Sequence, residues 1–292
     1  MVNPILKWAG GKRQLIPEIL ELFPCDYRQR SYHEPFFGSG AIFFNIKPMK
    51  GTINDINSRL MNFYRIVRDH PERLIEEAHR YPYYEERYYE LRDRFNHDEL
   101  SNIEEAALFL YFNKTGYNGL YRENSKGEFN VPFGRYKNPT IVPENKIRRA
   151  SRILKYIEIL NQDFTYILEK AEKGDLCYFD PPYQPVSDTS NFTSYFADGF
   201  ELEEQVKLKE TCVELHENGI YFVLSNSYAK PIIEMYEAVE DFRIKPVEAR
   251  RSINSKADNR GPVKEVLVTN VQGKVLRQSK LIDRKRKLGH NL

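Results

Sequence analysis

The sequence predicts an α/β fold in which one sheet carries helices on both faces. Short apolar segments typical of strands alternate with helical segments before residue 57 and again after residue 156. Two of the predicted strands end at residue types that bind ligands at sheet edges: a glycine turn at Gly38 and Gly40, and an acidic turn at Asp180. Between residues 57 and 156 the alternation lapses, which predicts an inserted, mainly helical domain.

Composition restricts the class of protein. A chain of 292 residues, 41% hydrophobic and 29% charged, can bury the core of one large or two modest globular domains. The cysteines Cys25, Cys177 and Cys212 form no C-x-x-C pair, which argues against a disulfide framework and a metal site. The first residues lack the apolar core of a signal peptide, and no apolar run approaches the roughly 20 residues of a membrane span. We therefore expect a cytoplasmic protein with no membrane partner and no metal.

The N-terminal segment ends in Gly10-Gly11-Lys12, like a phosphate-binding P-loop. Such a loop needs Gly where Leu6 stands and Ser or Thr where Arg13 stands, so this interpretation fails. Apolar residues at helical spacing in 15–20 predict a short helix that ends near Pro24.

Residues 31–44 predict a short strand, a glycine turn and an apolar helix, the first βα step of a Rossmann-like sheet. The dinucleotide fingerprint requires a third Gly where Phe43 stands, so a pyrophosphate cradle is not expected. The turn at Gly38 and Gly40 would still let a ligand approach the backbone.

A second strand, within residues 52–57, ends in the acidic residue Asp55. Its distance from the glycine turn suits a carboxylate that accepts hydrogen bonds from ribose hydroxyls. Alternatively, Asp55 or Asn57 caps the helix that follows. The two roles are compatible, and the sequence leaves them open.

The second half of the insertion is basic, although the net charge of the whole chain is only +2. After Asn113, ten Lys and Arg residues are accompanied by three Glu residues up to Lys155, a distribution typical of a nucleic-acid-binding surface. Within it, residues 119–122 and 128–131 flank a polar turn and predict a β-hairpin. A β-ribbon can enter a DNA major groove, and the alternative is a solvated surface hairpin.

The α/β alternation returns after Tyr156. A strand is predicted from residue 158 to Asp163, before a helix through Leu168, and a second helix over residues 201–218. Further strands are predicted over 219–225, 242–249 and 263–271, with a basic loop at 250–256 and a basic C-terminal tail at 272–292.

The most informative segment is residues 176–183. Pro181 and Pro182 lack the N–H that a sheet ladder needs, so they end the strand. Asp180 and the Pro181 carbonyl could both accept hydrogens from an amine on a planar ring, against which Tyr183 could stack. The alternative is a strand end followed by a proline-rich turn.

Four separated patterns occur in the order and spacing of one enzyme family, namely Lys-Trp-Ala-Gly-Gly-Lys at 7–12, Glu-Pro-Phe-Phe-Gly-Ser-Gly at 34–40, Asn-Asp-Ile-Asn at 54–57 and Asp-Pro-Pro-Tyr at 180–183. Similarity extends through 117–120, 129–136 and 250–253. The chain resembles the Dam family of site-specific DNA adenine methyltransferases, which use S-adenosylmethionine. Arg13, Gln14 and residues 76–101 depart from the family's pattern.

The resemblance implies an architecture and a set of site residues. A Rossmann-like methyltransferase sheet would comprise 1–56 and 157–271, and residues 57–156 would be an inserted DNA target-recognition domain that bears the hairpin. The implied catalytic residues are Asp180, Pro181 and Tyr183. The implied cofactor contacts are Trp8, Lys12, Glu34, Phe36, Gly38, Gly40, Asp55, Asp163, Phe164 and Asp180. The implied contacts to double-stranded DNA are Lys7, Tyr117, Asn118, Leu120, Arg122, Pro132 and Tyr136.

The resemblance further implies methylation of the adenine amine (N6) in the palindrome GATC. Arg122, with Leu120 and Pro132, would read base edges, and Tyr117 would fill the stack when the adenine is flipped out of the duplex. Two same-fold alternatives remain open, methylation of cytosine N4 and methylation of RNA. A third is a catalytically silent DNA-binding protein. The basic hairpin favours duplex DNA, because side chains cannot read the deep, narrow major groove of RNA.

Overall fold

The computed structural model describes residues 4–182, 200, 202–250 and 262–272, with the backbone alone at 249–250 and 262–263. Tyr183, most of the basic loop 250–256 and the tail from residue 273 lie outside the described residues. No helix in the described part of the chain is long and apolar enough to cross a membrane.

The described residues form a seven-stranded mixed sheet, which confirms the predicted α/β class. Its strands are β1 (Tyr32–Glu34), β2 (Gly51–Asn54), β3 (Glu158–Leu160), β4 (Leu176–Phe179), β5 (Tyr221–Ser227), β6 (Arg243–Arg250) and β7 (Pro262–Thr269). The order across the sheet is β3-β2-β1-β4-β5-β7-β6. β4 is parallel to both β1 and β5, whereas β7 is antiparallel to both β5 and β6.

Helices lie on both faces of this sheet. The helices of the described residues are α1 (Ile16–Leu20), α2 (Ala41–Ile46), α3 (Ser58–Asp69), α4 (Pro71–Ala78), α5 (Glu85–His97), α6 (Asn102–Thr115), α7 (Glu144–Leu154), α8 (Ile167–Lys170), α9 (Leu202–Glu217) and α10 (Lys230–Glu237).

The chain divides into two compact units. The first comprises Met1–Gly11, Phe37–Lys47 and Ile53–Gln162, and its core is rich in fully buried aromatic residues of α2, α3, α5 and α6. The second comprises Lys12–Phe36, Pro48–Thr52 and Asp163–Leu292. Every residue of β4 is buried, which agrees with a strand at the centre of a sheet.

The strand order reverses between β1 and β4, where Tyr32 lies opposite Leu176 and His33 opposite Cys177. Such a reversal point, at the carboxyl ends of parallel strands, is where α/β sheets bind ligands. Glu34 is the last residue of β1, and Asp180 directly follows β4. Both residues singled out in the sequence therefore lie at the edge of the sheet where ligands are expected.

Two predicted elements differ in extent. The strand expected to reach Asp163 ends at Leu160, and a 3₁₀ turn over Phe164–Tyr166 precedes α8. The hairpin forms as a hydrogen-bonded antiparallel turn with an isolated bridge between Glu123 and Phe129 instead of two regular strands. The Asn124 side chain accepts hydrogen bonds from the amides of Lys126 and Glu128, which tightens the loop and leaves few residues to pair.

A capping box begins α6, the central helix of the first unit. The Ser101 hydroxyl accepts a hydrogen bond from the Glu104 amide (3.3 Å), and the Glu104 carboxylate accepts one from the Ser101 amide (3.1 Å). We expect Ser101→Ala to lower the free energy of unfolding by about 1 kcal/mol, because one helix amide loses its partner. Urea denaturation measures the change, and Ser101→Thr, which keeps the oxygen, serves as the control. Equal stability of all three proteins would contradict a capping role.

Candidate active site

Asp180 is held at the end of β4 by a lysine from the N-terminal motif. The Lys12 ammonium lies 2.8 Å from Asp180 Oδ1 and 3.8 Å from Glu265 Oε2 on β7. Lys12 is 5% exposed and Glu265 is 8% exposed. Ser225 on β5 donates its hydroxyl hydrogen to Glu265 Oε2 over 3.4 Å. One buried ammonium is thus shared between two carboxylates.

This arrangement adjusts the acidity of Asp180. Burial raises the pKa of Asp180 to about 6, while the positive charge and hydrogen bond of Lys12 oppose the rise and the negative charge of Glu265 adds to it. Asp180 is therefore mainly ionised at neutral pH, but it titrates within reach of physiological conditions. An ionised carboxylate is an acceptor only, which suits a partner that presents two amine hydrogens.

The other predicted residues near the ends of β1 and β4 show a similar mixture of polar and aromatic groups. Glu34 is 2% exposed and accepts a hydrogen bond from the Tyr32 hydroxyl at 2.8 Å. Phe36 packs in an aromatic cluster, with ring centroids 5.3 Å from Phe164, 6.4 Å from Phe179 and 5.6 Å from Phe200. Pro181, the other predicted amine acceptor, is buried.

Asp163 has a structural role in this unit. Its carboxylate accepts hydrogen bonds from the Thr165 amide and hydroxyl, and pairs with Lys207 at 2.9 Å. Burial acts to raise the pKa of Asp163, but these hydrogen bonds outweigh it and lower the pKa. Asp163 therefore begins the 3₁₀ turn that fixes Phe164.

In the first unit, the glycine turn is formed by two residues with left-handed backbone. Gly38 has φ +50°, and a Cβ there would lie 2.8 Å from Trp8 Cδ1. Gly40 has φ +67°, and a Cβ there would lie 2.4 Å from the Phe37 ring. Both the backbone angle and the close approach therefore require glycine.

Asp55 is tied to this turn. Its carboxylate accepts hydrogen bonds from the amides of Gly38 (2.9 Å) and Asn57 (3.0 Å). Burial raises the pKa of Asp55, and these two hydrogen bonds oppose the rise. Asn57, not Asp55, caps α3, by accepting a hydrogen bond from the Leu60 amide at 2.9 Å.

Ile56 is a candidate that the sequence reasoning missed. Its side chain is 77% exposed, directly after Asp55, and Asn161 Nδ2 donates to the carbonyls of both residues. An exposed aliphatic side chain beside the predicted ribose acceptor could cover a flat purine ring. The signal available in the sequence was an apolar residue at a strand end where the turn is otherwise polar.

The structure brings several of the predicted DNA contacts together in the first unit. Asn113 of α6 joins its side chain to the backbone of Lys7, by accepting from its amide (3.0 Å) and donating to its carbonyl (2.7 Å). The Lys7 ammonium lies 5.7 Å above the Tyr136 ring. Asn113 therefore positions the N-terminal segment against the predicted reading segment, a role that its sequence context did not reveal.

The turn that contains Tyr117 and Asn118 presents its side chains to solvent. Tyr117 is 47% exposed, and its amide donates to the Pro132 carbonyl at 2.8 Å. Asn118 has left-handed backbone, with φ +56°. An exposed ring on a rigid turn suits insertion between stacked bases.

Arg122 is exposed on the hairpin and oriented by it. Its Nε donates to Asn130 Oδ1 at 2.7 Å, and the Asn130 amide donates to the Arg122 carbonyl at 3.1 Å. Leu120 is partly exposed and lies in the same half of the hairpin as Arg122.

Helix α5 supports the returning half of the hairpin. Asn96 makes two backbone hydrogen bonds to Phe129, of 2.9 and 3.0 Å, and Tyr88 donates its hydroxyl hydrogen to the Val131 carbonyl at 2.9 Å. Residues 76–101, whose sequence departed from the family pattern, therefore include side chains that hold the hairpin in place.

Known proteins are similar to this chain over most of its length. Residues 8–253 match the family model of the D12 class N6 adenine-specific DNA methyltransferases. The chain is 45% identical to the Type II methyltransferase M1.LlaDCHI of Lactococcus lactis subsp. cremoris, with 92% of this chain and 95% of that protein covered. It is 40% identical to the Type II methyltransferase M.MjaIII of Methanocaldococcus jannaschii, with 92% and 99% covered.

A third relative, the DNA adenine methylase of Escherichia coli K12, is 36% identical, with 92% of this chain and 96% of that protein covered. Enzymes of this family use S-adenosylmethionine as methyl donor and DNA as substrate. The matched region includes the glycine turn, Asp55, the hairpin and Asp180, whose geometry is described above. The chain therefore belongs to the D12 class of N6 adenine-specific DNA methyltransferases.

Proposed function

We propose that this enzyme methylates N6 of the adenine in GATC within duplex DNA, after the adenine has been flipped out of the helix. The observation that carries the proposal is the Asp180 carboxylate, partly buried at the carboxyl end of β4 and paired with the buried Lys12 at 2.8 Å. A base in a duplex hides its amine, so flipping is needed, at a cost of roughly a few kcal/mol.

The first unit offers groups that fit S-adenosylmethionine. Asp55 keeps acceptor capacity beyond its two backbone hydrogen bonds, which suits the ribose hydroxyls. The turn at Gly38 and Gly40 is the proposed cofactor loop, and exposed Ile56 suits the purine ring. When bound, S-adenosylmethionine supplies a methyl group on a positively charged sulfur.

The second unit supplies the groups for the target amine. The adenine amine is a poor nucleophile, because its lone pair is delocalised into the ring. Acceptance of its two hydrogens by Asp180 and the Pro181 carbonyl would favour a pyramidal nitrogen with a directed lone pair. Lys12 keeps Asp180 ionised and fixes one of its oxygens, so the chemical step depends mainly on positioning and electrostatics. Tyr183 is the proposed stacking partner of the base.

GATC as the target is what the resemblance to the Dam family implies, and the exposed position of Arg122 on the hairpin supports it. In this proposal Arg122 presents its guanidinium to guanine, and Leu120 and Pro132 contact neighbouring base edges. Tyr117 is the proposed residue that occupies the gap left by the adenine, with Lys7 at a flanking base and Asn118 and Tyr136 at phosphates.

Incubation with labelled S-adenosylmethionine and duplex DNA, followed by nucleoside analysis, tests the proposal. We expect N6-methyladenine in GATC duplexes. Formation of N4-methylcytosine would contradict the proposal and support a cytosine methyltransferase, and label in RNA alone would support an RNA methyltransferase. No label despite DNA binding would support a catalytically silent DNA-binding protein. A mismatched adenine at the target site should increase the affinity of the enzyme for the duplex if flipping is required, because less base-pairing energy is lost.

The acid limb of the methylation rate should report the ionisation of Asp180. We expect kcat/KM to fall as pH drops through about 6, the pKa of Asp180, because the protonated carboxyl loses acceptor capacity. Glu265→Gln removes a nearby negative charge and should move the limb to lower pH. Lys12→Gln removes the opposing positive charge and should move it to higher pH, by about one unit or more. A limb that stays in place in both variants would show that another group titrates.

Replacement of the two acidic residues should separate chemistry from cofactor binding. Asp180→Ala should lower turnover at saturating S-adenosylmethionine by orders of magnitude while the protein stays folded. Asp55→Asn should weaken that affinity by about 1–3 kcal/mol, the value of a charged hydrogen bond, with turnover at saturation largely kept. Calorimetry and single-turnover kinetics measure the two effects. Near-normal turnover in Asp180→Ala would refute the assigned role.

Arg122→Ala should relax discrimination at one base pair by about 1–3 kcal/mol. Lys126→Ala, an exposed cation in the same hairpin turn, is the matched control, and it should weaken all DNA alike and flatten the salt dependence of binding. Methylation of GATC and of singly altered duplexes measures both. If Arg122→Ala reduced activity on every sequence by the same factor, Arg122 would be a phosphate contact.

A further inference from the structure

Trp8, the only tryptophan, joins the glycine turn to the hairpin within the first unit. On one side its ring abuts Gly38, whose amide is bound by Asp55. On the other side it stacks on Tyr121, with ring centroids 5.6 Å apart and an interplanar angle of 18°. Phe109 of α6 packs against both rings, at 6.3 and 4.9 Å, which confines the stack.

Tyr121 is in turn fixed to the hairpin. It immediately precedes Arg122, its ring lies 5.5 Å from Phe129 on the opposite half, and its hydroxyl donates to the Glu123 carboxylate. Burial and the neighbouring Glu123 raise the pKa of Tyr121, so the hydroxyl stays protonated and the bond persists at neutral pH. A shift of the Tyr121 ring would therefore be transmitted to the residue proposed to read guanine.

We propose that Tyr121 is a positioning residue that couples cofactor binding to DNA reading, through the continuous contacts Asp55–Gly38–Trp8–Tyr121. This inference rests on the roles proposed above for Asp55 and Arg122. Occupation of the glycine turn fixes the Trp8 ring, and the stacked Tyr121 ring then holds the hairpin in its reading conformation. Because the linkage is thermodynamic, DNA must increase cofactor affinity by the same factor as cofactor increases DNA affinity.

The coupling factor tests the proposal without catalysis. The affinity of S-adenosylhomocysteine, the demethylated cofactor, is measured by calorimetry with and without saturating GATC duplex. For the wild-type protein, we expect the GATC duplex to tighten binding of S-adenosylhomocysteine by about 5- to 150-fold, the usual range of such couplings. Tyr121→Leu should bring the factor close to one while each ligand alone still binds, and Tyr121→Phe, which keeps the ring, should retain the coupling. No coupling in the wild type, or full coupling in Tyr121→Leu, would overturn the proposal.

Hydrogen exchange on the wild-type protein provides a second test that needs no variant. In the hairpin, the amides of Asn124, Gly127 and Asn130 donate to backbone carbonyls. S-adenosylhomocysteine alone, without DNA, should slow their exchange, whereas the capped start of α6 serves as an unaffected reference. Unchanged hairpin exchange at saturating ligand would refute the coupling even if Tyr121→Leu failed to fold.

Failure of this inference is distinguishable from failure of the proposed function. Methylation of adenine in GATC by the wild type, combined with independent binding of the two ligands, would reject only the role of Tyr121. Absence of adenine methylation would reject the proposed function whatever the coupling factor.

Discussion

A partly buried carboxylate paired with a buried lysine is the constraint around which the second unit is arranged. Burial raises the pKa of Asp180 to about 6, and the positive charge and hydrogen bond of Lys12 oppose the rise. Lys12 provides the counter-charge, which it shares with Glu265 on β7, and Ser225 on β5 donates a hydrogen bond to Glu265. An isolated buried charge costs far more than a paired one, so the strands that enclose Asp180 also have to deliver its partners.

Asp55 also combines a structural contact with a proposed binding role. The sequence left open whether it holds ribose or begins a helix, and the structure gives the cap of α3 to Asn57. Asp55 instead ties its own turn to the glycine turn through the Gly38 amide. A carboxylate has acceptor sites beyond two hydrogen bonds, so this structural role is compatible with the proposed binding of ribose.

Membership of the family accounts for the chemistry, whereas the proposed reading of the target depends on how the hairpin is supported. The hairpin is too irregular to hold itself by strand pairing, because it contains only an isolated bridge. Asn96 and Tyr88 of α5 bind its returning half, and the Trp8–Tyr121 stack holds its outgoing half. These supporting side chains can therefore decide where Arg122 lies.

The sequence by itself determined the α/β class, the end of β4, the glycine turn and the family, because these depend on local periodicity, on backbone angles and on short motifs. It also identified Asp180, whose two following prolines mark a strand end. Only the tertiary structure decided which charges meet. Lys12 and Glu265 are far apart in the sequence and from Asp180, so their shared ion pair follows from the order of the strands. The stack of Trp8 on Tyr121 is likewise a long-range contact. No periodicity or short motif in the sequence indicates that these two rings meet.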